Sequence, residues 1–225
     1  IPLIGFNQNL GWSHTVSTGR RFTMYELQLK PGDNLTYIKD GQERPITSET
    51  IQIWANVGLP APVPLQRKFY RSEYGPMLPG DLMTDGALPA WGAAGTAYTY
   101  RDANASSVAM LDTWVGFGRA TTLAEFQEVL KSCSNTLWVN STYADDKGNA
   151  YYIDSSSVPN LSAEAIAVLK AKIAGSPAYA ALFGAGLTLL DGRTSRDDWV
   201  EGNCNGHVPF DDQPQLTRTD FVQNS

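Results

Sequence analysis

The stretch that decides the fold is GFNQNLGWSHTVSTG, residues Gly5 to Gly19. A tight turn rich in Asn, Gln and Gly leads into an apolar strand pattern, Trp12 to Ser17, that ends at small residues. The end of a strand can present backbone N–H groups to a bound group, which is the geometry that an oxyanion hole requires. The stretch therefore predicts a β-strand that carries a backbone anion site at its end.

Outward from this stretch, the patterns predict strands first, then helices, then strands again. Residues 1–101 are expected to be mainly β, and within them Pro60 to Gly95 is expected to form a long connection because it is rich in Pro and Gly. Residues 102–190 predict helices and one β-hairpin, and residues 191–225 predict a loop leading into a further strand. This order favours an α+β architecture.

The individual elements follow from local periodicity and turn residues. The expected strands are Tyr25 to Lys30, Leu35 to Ile38, Thr50 to Trp54, Phe69 to Arg71, Ala97 to Arg101, Leu137 to Ala144 and Ala150 to Asp154, with a hairpin turn at Asp40-Gly41. Four helices are expected. The first has an apolar face of Val108, Leu111, Trp114 and Val115, and the second, which follows a capping box at Thr122 to Glu125, has one of Leu123, Phe126, Leu130 and Cys133. The third has an apolar face of Ile166, Leu169 and Ile173, and the fourth is a short helix that starts at Pro177.

Composition excludes several classes of function. The formal net charge of -6 and the lack of a basic run argue against a phosphate-binding surface, so no nucleic-acid partner is expected. No apolar stretch approaches the roughly 20 residues of a membrane span, so no membrane partner is expected. The chain starts in a strand pattern and stops in the apolar segment Phe221 to Ser225, so we expect it to be an internal piece of a longer protein.

The sequence gives little support for a conventional catalytic triad or a metal site. His14 lies in a strand pattern, where a structural role is favoured, and His207 lies in a Gly-rich loop. Asp145 to Asn149 resembles a calcium loop superficially, but it lacks the acidic twelfth ligand and a hairpin turn explains it. The acidic pairs Asp197-Asp198 and Asp211-Asp212 are expected to be solvated loop charges. We expect no metal and no cofactor.

The two cysteines, Cys133 and Cys204, are too few for a disulfide scaffold or a zinc site. They would close a loop of about 70 residues if they paired in an oxidising compartment. The alternative is two separate thiols, with Cys133 buried on a helix face, and both possibilities stay open.

The stretch from Gly5, with Arg20-Arg21-Phe22-Thr23 after it, resembles the penicillin-acylase branch of the N-terminal-nucleophile hydrolases. Within that branch it is most similar to the acyl-homoserine-lactone and lipopeptide acylases, which share Gly-Phe-Asn, Trp-Ser-His-Thr-Val-Ser-Thr and Arg-Phe-Thr. Further matches are Tyr70-Arg71 with Gly75-Pro76, Trp138-Val139-Asn140, and the closing Val222 to Ser225. The resemblance implies part of the large chain, folded as part of an αββα sandwich with an inserted helical segment.

The resemblance also implies roles for particular residues. The family attacks an amide carbonyl with the hydroxyl of an N-terminal serine, and holds the oxyanion with one strand N–H and one Asn side chain. By position, the strand N–H is that of Val16. The acyl pocket carries over to Ile4, Trp114, Trp138 and Val139, all apolar, although core packing explains each of them as well.

The departures from the family pattern concern the nucleophile and the metal. The family's serine would lie before Ile1, and its oxyanion Asn would lie just past Ser225, with Asn224 as a neighbour. The nucleophile-bearing part is therefore expected to be absent from residues 1–225. Some members bind calcium shortly after the strand, but those positions hold Arg20 and Thr23, so no calcium is expected there.

Two functions stay open on the sequence. The first is a fragment of an amidohydrolase that cleaves an N-acyl amide such as an acyl-homoserine lactone, a lipopeptide or a β-lactam, with the small chain and the other large-chain segments of the same precursor as partners. The second is a non-catalytic, β-rich module that binds acyl chains. By resemblance, a periplasmic or secreted location is expected.

Overall fold

The chain has an α+β architecture that divides into two compact units. The computed structural model describes residues 3–79, 88–105, 107–131, 136–201 and 206–224. The first unit comprises Ile1–Arg21, Ala103–Ser162 and Trp199–Ser225, and the second comprises Phe22–Asp102 and Ala163–Asp198. Each unit therefore joins segments that are distant in sequence.

Strands dominate the first third of the chain and helices the middle. The strands are β1 (Ile4–Phe6), β2 (Leu10–Val16), β3 (Phe22–Lys30), β4 (Asp33–Lys39), β5 (Gln42–Pro45), β6 (Thr47–Ala55), β7 (Val63–Arg71), β8 (Met77–Leu78), β9 (Thr96–Asp102), β10 (Val139–Asp145), β11 (Ala150–Asp154), β12 (Thr188–Asp191) and β13 (Gln215–Arg218). The helices are α1 (Met110–Arg119), α2 (Leu123–Lys131), α3 (Ala163–Gly175) and α4 (Pro177–Gly184).

The first unit is built on an antiparallel sheet in the order β1-β2-β10-β11-β13. Side chains alternate along a strand, so Leu10 and Trp12 point to one face of this sheet. Helices α1 and α2 cover that face, and the stacked rings of Phe117 and Phe126, 4.2 Å apart, lie in the same buried cluster. Burying one such side chain contributes about 1.5–3 kcal/mol, so this cluster fixes which face of the sheet the helices cover.

Asn7 holds the turn between β1 and β2. Its Oδ1 accepts hydrogen bonds from the backbone N–H groups of Asn9 (2.9 Å) and Leu10 (3.1 Å). Its Nδ2 donates to the carbonyls of Ala120 (2.7 Å) and Gly118 (3.2 Å) at the end of α1. One side chain thus shapes the turn before β2 and attaches it to the helix that packs on the sheet.

The second unit is built on a sheet in the order β5-β4-β3-β9-β8. Strand β12 pairs in parallel with residues 23–26 of β3, on the edge opposite β9 and before the part of β3 that pairs with β4. The predicted alternation in β3 is confirmed, because Tyr25, Leu27 and Leu29 are buried. The predicted Asp40-Gly41 turn is confirmed as well, since both residues have positive φ (50° and 73°), as a two-residue hairpin turn requires.

The hairpin of β6 and β7 forms a separate two-stranded sheet. Its register places Ile51, Ile53, Leu65 and Phe69 on one face, and all four are substantially exposed. The other face carries Trp54, which is 66% exposed, and Gln66, which donates to Gln52 at 2.7 Å. Both faces of the strand pair therefore carry exposed apolar side chains.

Among the described residues, no single helix is long and apolar enough to cross a membrane. Helices α3 and α4 meet the criterion only as a pair, and they are bent by 111° relative to each other.

Most predicted elements are confirmed, but the buried face predicted for the first helix is only partly right. Trp114 is buried as expected, together with Thr113 and Phe117, whereas Val108, Leu111 and Val115 are exposed. Both sets of residues have helical spacing. The set with Phe117 is the buried one because Phe117 stacks on Phe126.

The capping box of α2 also differs from the prediction. Glu125 N–H donates to Thr122 Oγ1 at 3.2 Å, as expected. The Glu125 carboxylate, however, accepts from the N–H and hydroxyl of Thr121 rather than from Thr122. The carboxylate still satisfies a backbone donor before the helix, one residue earlier than the usual box.

Two predicted loop regions contain regular structure. The connection expected from Pro60 to Gly95 includes the whole of β7 and the short strand β8. Strand β12 was not predicted, and β13 lies before the apolar segment at Phe221, where the described residues form no strand. The predicted helix contact of Cys133 and the possible pairing with Cys204 lie outside the described residues.

The expectation that Asp197 and Asp198 are solvated loop charges is wrong. Asp197 is 1% exposed and accepts from Arg196 Nε at 2.6 Å and from the Asp191 N–H at 3.0 Å. Asp198 accepts from the buried ammonium of Lys39 at 2.7 Å. Both carboxylates are held by donors that compensate their desolvation.

Candidate functional site

Strand β2 lies between β1 and β10, and its end is where the sequence predicts an anion site. Val16 is paired with Val139, and the next residue, Ser17, donates its N–H to the carbonyl of Trp138 at 2.8 Å. Successive N–H groups point to opposite edges of a strand. The N–H of Val16 therefore points away from β10, toward the edge of β2 on which β1 lies.

Strand β1 does not extend along β2 as far as Val16 among the described residues. Its pairing covers Gly11 to Ser13 only. Val16 is 72% exposed, and no described residue pairs with this edge of β2 beyond Ser13. A backbone N–H at such an edge is available to an acceptor from outside the strand.

A cluster of four polar side chains lies on the face of the sheet opposite the helices. The register puts Thr15, Asn140 and Tyr152 on that face, and Asn224 joins them from the end of the described chain. Thr15 Oγ1 donates to Asn224 Oδ1 at 2.5 Å, and Tyr152 Oη donates to Asn140 Oδ1 at 3.1 Å. Asn140 Nδ2 lies 3.2 Å from Thr15 Oγ1 and 3.3 Å from the carbonyl of Val16. We call these four residues the polar cluster.

Ser17 anchors the chain immediately after β2. It is 3% exposed, and its hydroxyl donates to Asp154 Oδ2 at 2.8 Å while accepting from the Gly19 N–H at 2.9 Å. A Cβ on Gly19 would lie 2.8 Å from Ser156 Oγ, so this turn requires glycine for its close packing. The Ser-Thr-Gly ending of the motif thus fixes where the strand stops.

His14 is enclosed by aromatic rings on the helix-covered face. Its ring centroid lies 5.2 Å from that of Trp114 and 6.0 Å from that of Phe117. Nδ1 lies 3.3 Å from the carbonyl of Asn140 and 3.1 Å from Ser141 Oγ. Burial lowers the pKa of the imidazole, and the Asn140 carbonyl opposes this only in part. This placement fits the structural role expected for His14.

His207 is hydrogen-bonded in its loop. Its Nε2 lies 2.8 Å from the carbonyl of Ala103, and its ring lies near that of Trp199.

The four residues implied as pocket-lining lie in different places. Trp114 and Val139 are buried, at 7% and 6% exposure, and Val139 lies beside Val16. Trp138 is 48% exposed, at the start of β10, and Ile4 is 72% exposed in β1. Ile4 is paired with Ser13, which places its side chain on the face of the polar cluster.

An open groove of about 510 Å³ runs along that same face. Ile4, Phe6, Ser13 and Phe221 contribute to its lining, and Asp220 and Val222 extend it. Of the four implied pocket residues, Ile4 lines this groove. A largely apolar groove of this size matches the volume that small ligands require.

No group of three or more His, Cys, Asp or Glu side chains in the described part of the chain has the arrangement of a metal site. Asp145 is occupied by its own turn, where it accepts from the N–H groups of Lys147 and Asn149 and from Tyr143 Oη. Thr23 is 1% exposed within β3, and Arg20 lies in the connection before that strand.

Sequence reasoning missed Asn140 and Tyr152 as site residues. Asn140 was noted only as part of a matching strand, and Tyr152 only as part of the hairpin. One signal was available: the predicted hairpin register places these two side chains on one face of the sheet. Their proximity to Thr15 depends on pairing between distant strands, which the sequence does not contain.

The fold is that of a penicillin acylase. The structure matches thermostable penicillin G acylase from Alcaligenes faecalis with a TM-score of 0.66 and 19% identity, over 97% of this chain and 32% of that one. The chain belongs to the penicillin amidase family, whose family model matches residues 1–225.

Curated relatives are acylases by name. The chain is 34% identical to acyl-homoserine lactone acylase PvdQ of Pseudomonas fluorescens, over 100% of this chain and 28% of the relative. It is 35% identical to aculeacin-A acylase of Actinoplanes utahensis, over 99% of this chain and 27% of the relative. The chain thus spans little more than a quarter of the length of these two relatives.

Proposed function

We propose that this chain is the part of an N-acyl amide hydrolase that supplies the backbone half of its oxyanion hole, through the N–H of Val16. The observation that carries the proposal is the direction of the Val16 N–H: because Ser17 donates its own N–H to Trp138 in β10, the preceding N–H points to the other edge of β2, where no described residue pairs with Val16. Family membership supports amide hydrolysis as the reaction.

The proposed reaction uses groups on both sides of the scissile carbonyl. A serine hydroxyl on another part of the same protein attacks the carbonyl carbon, and its proton passes to the serine's own α-amine. The carbonyl oxygen takes the negative charge. It accepts one hydrogen bond from the Val16 N–H and one from the side chain of an Asn that is expected just past Ser225. The amine then leaves with a proton, and water hydrolyses the acyl-enzyme to a carboxylic acid.

The proposed substrate is an amide with an apolar acyl chain. The implied pocket residues Ile4, Trp114, Trp138 and Val139 are all apolar, which suits an aliphatic or aryl acyl group, although Ile4 lies on the face of the sheet opposite Val139. The names of the relatives, which refer to acyl-homoserine lactones and to aculeacin A, support the same class. The small chain and the remaining large-chain segments are the proposed partners, in a periplasmic or secreted protein.

The test compares Val16→Pro with Val16→Ala in the full-length protein. Proline removes the N–H, and this edge of β2 carries no described ladder bond that the substitution would break. We expect Val16→Pro to lower kcat about 10²- to 10³-fold with little change in KM, since the hydrogen bond forms in the transition state. Val16→Ala keeps the N–H and should stay within about fivefold of the parent.

Amine release from a chromogenic N-acyl amide gives the rates, and thermal unfolding shows whether each variant is folded. A folded Val16→Pro variant with the parent's kcat would refute Val16 as the donor. A full-length protein that binds N-acyl amides without releasing amine would instead favour the non-catalytic acyl-binding module. The isolated 225-residue chain is expected to show no turnover.

A further inference from the structure

Asn140 is a buried polar residue in the middle of a sheet, where apolar or small side chains are usual. It is 4% exposed and lies in β10 between β2 and β11. Burying a carboxamide costs free energy unless its donors and acceptor are bonded. In this structure both ends of the carboxamide have partners, so the residue has a defined orientation.

The orientation of the carboxamide follows from its neighbours. The carbonyl of Val16 can only accept, so the atom that faces it at 3.3 Å must be the donor Nδ2. Oδ1 then faces Tyr152 Oη at 3.1 Å and accepts its proton. The two assignments agree, which leaves one consistent arrangement of the amide.

Asn140 Nδ2 contacts both segments that the proposed oxyanion hole needs. On one side it donates to the carbonyl of Val16, the residue whose N–H is the proposed donor, and to Thr15 Oγ1 at 3.2 Å. On the other side Asn224 Oδ1 lies 3.5 Å from the same nitrogen and accepts from Thr15 Oγ1 at 2.5 Å. Residues 221–224 lie in no strand or helix, so side-chain contacts such as these determine where Asn224 sits.

We propose that Asn140 is a positioning residue that holds the end of β2 and the Asn224 segment at a fixed separation. This inference rests on the proposed function, because its consequence is the geometry of the oxyanion hole. Asn140 itself touches no reacting atom; it acts through Val16 and Asn224. A displacement of about 1 Å at such a site can lower the rate by as much as about 10²-fold.

The substitution that isolates this role is Asn140→Asp, which keeps the shape and changes the hydrogen bonding. An ionised carboxylate would place an acceptor against the carbonyl of Val16, so both groups would lack a proton to share. The protonated acid can donate to Val16 again. Burial raises the pKa of a carboxyl group, so the acid form should become populated within the working pH range.

The experiment measures kcat and KM of the full-length Asn140→Asp variant for a chromogenic N-acyl amide from pH 5.5 to 8.5. The matched control is Asn56→Asp, the same change at an exposed residue of the loop between β6 and β7. We expect kcat of Asn140→Asp to be about 10- to 100-fold below the parent at pH 8.5, with KM within about threefold. Relative to the parent at each pH, the loss should shrink at least about fivefold by pH 5.5 as the introduced carboxyl is protonated. Asn56→Asp should follow the parent throughout.

Three results would overturn the proposal: parental kcat for Asn140→Asp at every pH, a loss that is confined to KM, or a loss that does not change with pH. If this variant fails to fold, Tyr152→Phe removes the hydroxyl that fixes Oδ1 and should lower kcat without raising KM; parental kcat there would also overturn it. The Val16→Pro result separates the two proposals. If that variant loses activity and folded Asn140→Asp does not, only the positioning role is wrong, whereas a fully active Val16→Pro variant contradicts the proposed function itself.

Discussion

Asn7 offers a stringent test of how the motif Gly5 to Gly19 builds the site, because its side chain makes four hydrogen bonds of two kinds. Oδ1 accepts from two turn N–H groups, and Nδ2 donates to two carbonyls at the end of α1. A typical intramolecular hydrogen bond contributes about 0.5–1.5 kcal/mol. Asn7→Ala removes all four, so we expect it to lower the free energy of unfolding by about 2–4 kcal/mol.

Asn7→Asp separates the two kinds of bond. The carboxylate keeps the acceptor for the turn but loses the donors to Gly118 and Ala120, and it places a negative charge at a helix C-terminus. The expected cost is about 1–3 kcal/mol, of which the helix dipole contributes about 0.3–1.

Urea unfolding of the full-length protein, followed by tryptophan fluorescence, measures these differences, with Gln8→Ala at the exposed neighbouring position as the control. The reasoning is refuted if Asn7→Ala costs less than about 0.5 kcal/mol, which is the range of an ordinary surface substitution. It is also refuted if Asn7→Asp, which loses both donors to the end of α1, costs less than about 0.5 kcal/mol.

Two further predictions concern buried ionisable groups. Because burial lowers the pKa of His14 below 6.5, the unfolded chain binds the proton first, so stability falls as the pH drops from 6.5 toward the folded pKa. His14→Asn cannot titrate, so its melting temperature should fall less than the parent's between pH 7.5 and 5.5, and an equal fall would contradict this. Lys39 bridges Asp198 (2.7 Å) and Glu73 (3.3 Å), whose side chains are 32% and 43% exposed, so Lys39→Met should cost about 2–4 kcal/mol in urea unfolding. Lys68→Met, at an exposed lysine, should cost less than about 0.5 kcal/mol, and equal costs for the two would refute the buried bridge.

Elements that depend on near neighbours in the sequence were predictable. The turn at Asp40-Gly41 follows from two residues that tolerate positive φ, and the Leu137 to Asp154 hairpin follows from its strand patterns and turn. The start of α4 follows from Pro177 at the first helical position.

Features that depend on distant partners were not predictable. The ion pair of Asp198 with the buried Lys39 joins residues 159 positions apart in the chain, and nothing near either residue indicates the pairing. Strand β12 is four residues long and pairs in parallel with β3, so its own residues carry little periodic signal. In α1, two sets of residues had helical spacing, and only packing against α2 distinguishes them.

The candidate site shows the same difference between features that depend on near neighbours and features that depend on distant partners. Val16 was assigned through the family resemblance that the contiguous motif Trp12 to Ser17 carries, and its role as a donor stays a prediction. The polar cluster was missed because Asn140 and Tyr152 meet Thr15 only through the pairing of β2 with β10. Asn224 was predicted as a neighbour of the oxyanion Asn, and its contact with Thr15 comes from the structure alone.

The most direct test of the account is a crystal structure of the full-length protein with a boronic acid inhibitor that mimics the tetrahedral intermediate. The measurement is the distance from the inhibitor oxygen in the oxyanion position to the backbone nitrogen of Val16. The account predicts about 2.7–3.1 Å with the N–H directed at that oxygen. An oxyanion held only by other groups, with Val16 N more than about 4 Å away, would contradict it.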